Sequence, residues 1–516
     1  MKRTRPLPVL ALLFSMPVFA AAVQPTPGED KAQPASAEPA PSPPVEKKSV
    51  TSHSIVLSGQ KLSYTATAGT LVLRDDAGKA KASIFSVSYV KDGVSDPAQR
   101  PVTFCFNGGP GAASLWVHLG AFGPRRIETD ESGLKYATPA RLVDNEYSIL
   151  DLTDLVFIDP VSTGWSRPAP GEDPKQFHGF EEDIEWVGEF IRLWLARNQR
   201  FASPKLIAGE SYGTARAAGL ALSLLERYGI QLNGVMLLST VLNWQNQEFP
   251  YGNGNGNDIP FMIHLPSYTA AAWYHGRLAP DLQKDLRAAL AESESFAIGE
   301  YATALLQGDN LSESRRREVA AKLARLTGLS AEFVERANLR IELYRFLKEL
   351  RRNDGLTIGR IDARFTGRDL DSAGESPEFD PSIVGLDGPY AGAINDYLRR
   401  ELGYQEDAVY ERLTRKVHPW SWGSDNEYVN VAEKLRLAMT KNPALHVLIS
   451  SGLYDFATPY FDAFFTVAHM GLPPELRAQV KIETYEAGHM MYVKRSEHKK
   501  LHEDLVRFFR EATAGR

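Results

Sequence analysis

The sequence predicts an α/β fold: a mostly parallel mixed sheet with helices on both faces and a helical insertion. Three observations carry this. Continuous apolar runs recur at 102–106, 155–158, 205–208, 235–238 and 446–449, as strands covered on both faces require. Between two of them, Ile184, Val187, Ile191 and Leu195 fall on one face of a helical stretch at 180–198. At 209–213 the chain reads Gly-Glu-Ser-Tyr-Gly, directly after one apolar run and before a small-residue helix start. A strand that turns this sharply into a helix holds its central serine exposed, and glycine on both sides removes Cβ atoms that would collide.

The elements follow in order. Residues 1–22 carry basic Lys2, Arg3 and Arg5, a short apolar run broken by Pro17, and small residues at Ala20-Ala21-Ala22. The run is too short to span a bilayer, so a cleaved signal peptide is expected, with the mature chain periplasmic or secreted. Residues 23–50 are rich in Pro and Ala and lack large apolar side chains, which predicts a disordered linker. The first part of the α/β domain is expected at 51–245. Alternating polarity over 55–89 marks antiparallel strands at the sheet edge. A mainly helical insertion over 246–440, with stretches at 282–306, 312–326 and 339–352, is expected to cap the site, and 441–516 completes the sheet domain.

Composition narrows the partners. The 516 residues are 43% hydrophobic and 24% charged, with a formal net charge of −6, so no basic field favours nucleic acid or an anionic membrane surface. After signal cleavage no membrane contact is expected. The single cysteine, Cys105, rules out an internal disulfide and, flanked by Phe104 and Phe106, reads as a small buried hydrophobe. No H-E-x-x-H or Cys/His cluster occurs, so neither a metal nor a cofactor is expected. Oligomeric state is open.

A serine at its free pKa is a poor nucleophile; it needs a base within hydrogen-bond reach and a carboxylate to orient that base. Ser211 is the candidate nucleophile. His489, in a loop after the strand-like stretch 480–485, is the candidate base, whereas His498 and His502 lie on a charged helical stretch that reads as solvated. Asp455, just beyond the strand at 446–449, is the candidate orienting acid, with Asp462 as fallback. The tetrahedral oxyanion needs two backbone donors. Tyr212 supplies one, and the other comes from the loop Asn107-Gly108-Gly109-Pro110-Gly111 after the first parallel strand.

Assembled, these blocks resemble the serine carboxypeptidase family. Residues 107–115 are similar to its N-G-G-P-G-C-S-S-L block, 209–213 to its G-E-S-Y-[AG] elbow, 487–490 to its A-G-H-M, and 155–166 to a further block. The resemblance implies an α/β-hydrolase fold and release of C-terminal residues from a peptide substrate. It also implies an oxyanion hole at Gly109 and Tyr212, and binding of the substrate's terminal carboxylate by Asn107, Gly108 and Glu210. Glu210 can donate to a carboxylate only when protonated.

Three departures from the family pattern stand out. Cys105 occupies the usual Trp position, Ala112 the block's cysteine, and Ala121 the position of a second glutamate that shares a proton with the elbow Glu. Without that neighbour the like-charge contribution to Glu210's pKa disappears. A weaker acid optimum or looser demand for a free C-terminus is expected. An esterase or acyltransferase using the same triad is the alternative. Arg360, Asp362 and Arg364 read as a solvated surface ion-pair cluster.

Overall fold

The computed structural model describes residues 44–250, 256–424 and 427–514. The expected signal peptide and most of the linker lie outside the described residues.

A ten-stranded mixed sheet forms the frame. Its edge is an antiparallel run of β1 (Lys48–Leu57), β2 (Gln60–Arg74) and β3 (Ala80–Lys91). The strand start revises the linker boundary. β1 begins at Lys48 rather than beyond 50, and the Glu46 carboxylate already accepts the Val72 N–H at 2.9 Å. The remaining strands are β4 (Val102–Phe106), β5 (Asp154–Ile158), β6 (Lys205–Glu210), β7 (Gly234–Leu238), β8 (His446–Gly452) and β9 (Val480–Tyr485), with a two-residue tenth strand, Arg167–Pro168, paired antiparallel to β3. They stand in the order β1-β2-β3-β5-β4-β6-β7-β8-β9 and pair parallel from β5 onward.

Why these strands read as unbroken apolar runs is visible in their packing. In β4, Val102, Phe104 and Phe106 join a core with Ile184, Val187 and Ile191 of helix α1 (Phe180–Arg197) and Leu220 of α2 (Tyr212–Tyr228). Cys105, between them, joins the opposite core, where Leu501, Leu505 and Phe508 of the C-terminal helix Arg495–Ala512 pack. Alternate residues thus enter two separate cores, and both faces are covered.

The segment joining β7 to β8 carries helices Ile259–Tyr274, Leu286–Phe296, Glu313–Thr327 and Pro381–Asp396. The expected helix at 339–352 is shorter, Leu343–Glu349, with Glu342 as its N-cap. The first three of these helices build a third core that includes Leu453, Tyr454 and Phe456 from the loop after β8, while Leu386, Tyr390 and Ile394 of the fourth join the core of the C-terminal helix. The insertion is therefore continuous with the loop bearing Asp455.

One strap of the insertion makes this attachment specific. Ala363 N–H donates to Tyr454 O at 2.9 Å, Phe456 N–H to Arg360 O at 2.9 Å, and His489 N–H to Ile361 O at 2.6 Å. The strap is wedged between the loops carrying Asp455 and His489. It leaves no room at Gly488, where a Cβ would lie 2.5 Å from Asp362 Cγ. Gly488→Ala should force strap and loop apart and lower stability by ~1–3 kcal/mol, the usual cost of overpacking. Chemical denaturation measures this; an unchanged midpoint would mean the two part freely.

Candidate active site

Ser211 links β6 to α2 with φ 60° and ψ −130°, a conformation that costs a non-glycine residue ~1–3 kcal/mol. Local hydrogen bonds hold it there. Its N–H donates to Leu238 O at 2.9 Å, and its carbonyl accepts from Thr214 N–H at 2.8 Å and Thr214 Oγ1 at 2.7 Å. The flanking glycines are required by contact. A Cβ on Gly209 would lie 2.5 Å from the Gly213 carbonyl carbon, and one on Gly213 would lie 2.9 Å from Asn107 O.

The loop after β4 packs directly onto this turn. A Cβ on Gly108 would meet Tyr212 N and lie 2.6 Å from Gly213 N. Gly109 has φ +99°, open to glycine and strained for other residues. The Gly109 and Tyr212 N–H groups are left without a protein acceptor among the described residues, as donors reserved for an oxyanion must be. The Tyr212 side chain turns elsewhere, its hydroxyl donating to Asp183 Oδ2 at 3.0 Å.

His489 Nδ1 lies 2.7 Å from Asp455 Oδ2, and both residues are buried. Asp455 is saturated by donors: Ala457 N–H at 2.8 Å, Thr458 N–H at 3.2 Å and the Thr458 hydroxyl at 2.6 Å. Burial disfavours the imidazolium, but the charge and hydrogen bond of Asp455 outweigh it and hold the His489 pKa above its ordinary value. Ser211 and His489 line one cleft of about 320 Å³ with Asn107, Gly108, Gly109 and Glu210. No hydrogen bond joins the Ser211 hydroxyl to the imidazole, whose ring bonds run to Asp455 and Thr458; nucleophile–base bonds of this kind commonly tighten only around substrate. Asp462 is excluded from the site. Its carboxylate is held by Asn246 at 2.7 Å and Gln247 at 2.6 Å.

Glu210 is 3% exposed. Asn107 Nδ2 donates to its Oε1 at 2.7 Å and the Tyr492 hydroxyl to its Oε2 at 2.6 Å. Burial pushes its pKa up to about 7, against the lowering effects of the His489 charge and the Tyr492 and Asn107 hydrogen bonds. Desolvation, with a smaller contribution from the Asp455 charge, therefore raises Glu210 although Ala121 supplies no second carboxylate. Tyr492 is the residue that sequence reasoning missed; its only signal is its place three residues after His489, in the same returning loop.

Two other readings are corrected. Asp362 and Arg364 are 2% and 5% exposed, with Arg364 Nη2 2.6 Å from Asp362 Oδ2, because the strap is buried against the His489 loop. His498 is 3% exposed and its Nε2 lies 2.9 Å from Ala121 O. Burial lowers its pKa to about 4, so it is a neutral packing residue. Among the described residues no group of three or more His, Cys, Asp or Glu could hold a metal, and no helix is long and apolar enough to cross a membrane.

With this geometry in hand, comparison with known proteins is decisive. The family model for serine carboxypeptidases matches residues 76–506. This chain belongs to the serine carboxypeptidase family. Among curated family relatives, serine carboxypeptidase-like 36 of Arabidopsis thaliana is 28% identical over 172 residues, covering 32% of this chain and 34% of the relative. The pheromone-processing carboxypeptidase kex1 of Talaromyces marneffei is 30% identical over 131 residues, or 25% and 19% of the two chains. These matches span about a third or less of each relative's length. The crystal structure of a prohormone-processing carboxypeptidase from Saccharomyces cerevisiae shares the fold, with a TM-score of 0.52 at 13% identity over 86% of this chain and 91% of that one.

Because the Tyr492 hydroxyl stabilises ionised Glu210, Tyr492→Phe should raise the Glu210 pKa further above about 7. Infrared titration of the Glu210 carboxyl band, assigned with Glu210→Gln, reads this shift. A fall would show that Tyr492 favours the protonated form.

Proposed function

We propose that this chain is an exported serine carboxypeptidase that releases C-terminal residues from peptides through an acyl-enzyme on Ser211. The observation that carries the reading is one cleft lined by Ser211, His489 and the protonatable Glu210–Asn107 pair. Export rests on the character of residues 1–22.

Asp455 engages His489 Nδ1, which leaves Nε2 to take the Ser211 proton as the hydroxyl attacks the last peptide bond. The oxygen that gains charge falls to the Gly109 and Tyr212 N–H groups. His489 returns the proton to the leaving amine, and water then cleaves the ester by the reverse use of the same base. At the leaving end the terminal carboxylate meets the second amide hydrogen of Asn107, the Gly108 backbone and neutral Glu210. Ionised Glu210 would repel it.

Two ionisations bound the activity. The base must be neutral, so kcat/KM climbs as pH rises through the elevated His489 pKa. Glu210 must be protonated, so binding of free-acid peptides weakens as pH rises through about 7. The same elevated pKa makes Glu210 favour the folded state below about pH 4.5, a contribution lost as pH passes about 7.

A peptide and its C-terminal amide should be discriminated by ten-fold or more in kcat/KM below pH 7, with the ratio shrinking above it. Glu210→Gln, which keeps a donor but cannot ionise, should flatten that decline. Equal cleavage of acid and amide at every pH would contradict exopeptidase specificity and favour the esterase or acyltransferase reading, which the departures at Cys105 and Ala121 suggest.

A further inference from the structure

Arg360 lines the cleft beside Ser211 and His489. Its backbone is fixed by the strap: its N–H donates to Asp380 Oδ1 at 3.2 Å and its carbonyl accepts from Phe456 N–H at 2.9 Å. Its guanidinium is not similarly engaged. Among the described residues it has no ion pair and no side-chain hydrogen bond, whereas Arg364 is paired with Asp362 and Arg412, also in the cleft wall, with Asp387 at 3.0 Å.

A partly buried cation without a counter-ion is costly to keep, and this one works against the proposed chemistry. Its charge lowers the pKa of His489 and of His264, opposing the imidazolium that forms when Ser211 is deprotonated. An anion arriving on Arg360 with the substrate would cancel that opposition. Beside the paired Arg412 and Asp387, the wall carries apolar Ile361, Ile383, Leu386 and Met490, suited to the methylenes of a carboxylate-bearing side chain and able to strengthen a charge pair by excluding water. None of Asn107, Gly108 or Glu210 bonds Arg360, so the terminal carboxylate has its own partners.

We propose that Arg360 binds the side-chain carboxylate of an aspartate or glutamate flanking the scissile bond, making this a carboxypeptidase selective for acidic residues. The inference rests on the peptidase reading above.

Four N-blocked dipeptides test it, all with a free terminal carboxylate: Glu against Gln at the penultimate position and, separately, at the terminal one. The wild-type enzyme should favour Glu by ten-fold or more in kcat/KM at one of these positions, with the preference falling as ionic strength rises. Arg360→Gln should bring that ratio near one while still cleaving the Gln peptides. Arg360→Lys, which keeps the charge but not the fork, should retain a reduced preference and guards against a folding defect in the glutamine variant. A wild type indifferent to Glu and Gln overturns the assignment. So does an Arg360→Gln variant that slows all four peptides equally, which would place Arg360 on the terminal carboxylate. A wild type that cleaves none of the four overturns the peptidase reading itself, and this inference with it.

Discussion

The buried pair of Arg216 and Asp183 ties together the pieces that meet at Ser211. Arg216 Nε donates to Asp183 Oδ2 at 2.7 Å, and its Nη1 donates to Asn107 O at 2.7 Å, while the Tyr212 hydroxyl shares Asp183 Oδ2. One guanidinium, 1% exposed, thereby links the starts of α1 and α2 to the end of β4. Both donors proposed for the oxyanion hang on that junction: Gly109 two residues beyond Asn107, and Tyr212 beside the serine. Loss of either charge would strand the other in a dry core, at a cost of ~3–5 kcal/mol, and free the loop that sets the hole.

Two carboxylates in this site carry opposite duties because their surroundings differ. Asp455 accepts from two backbone N–H groups, a hydroxyl and an imidazole, and its charge raises the pKa of His489. Glu210 is equally buried but meets only an amide and a phenol, so desolvation wins and its proton stays on until about pH 7. The molecule reaches a protonatable acid without a second glutamate, chiefly through burial and with a smaller push from the Asp455 charge.

Much of this was legible in one dimension. The parallel strands announced themselves as apolar runs because both faces are covered, and Gly209 and Gly213 flank Ser211 for the steric reason their spacing suggested. Local pattern fails where the chain returns from a distance. The charged cluster at 360–364 reads as surface, yet it interleaves with Ile361, Ala363 and Phe365 and is drawn inside by backbone hydrogen bonds to loops about ninety to one hundred and thirty residues away. His498 was hidden by its charged neighbours; its spacing to Leu501, Leu505 and Phe508 puts it on the apolar face of its helix. Tyr492 touches Glu210 across 282 residues, a contact no local periodicity encodes.

Acyl transfer on Ser211 requires His489 to take the hydroxyl proton. Labelling with a fluorophosphonate probe, read by mass spectrometry of the peptide containing Ser211, addresses that most directly. Modification confined to Ser211 in the wild-type protein, and lost in a folded His489→Ala variant, is the predicted result. A folded wild-type protein left unlabelled while a control hydrolase reacts, or labelling indifferent to His489, would contradict it.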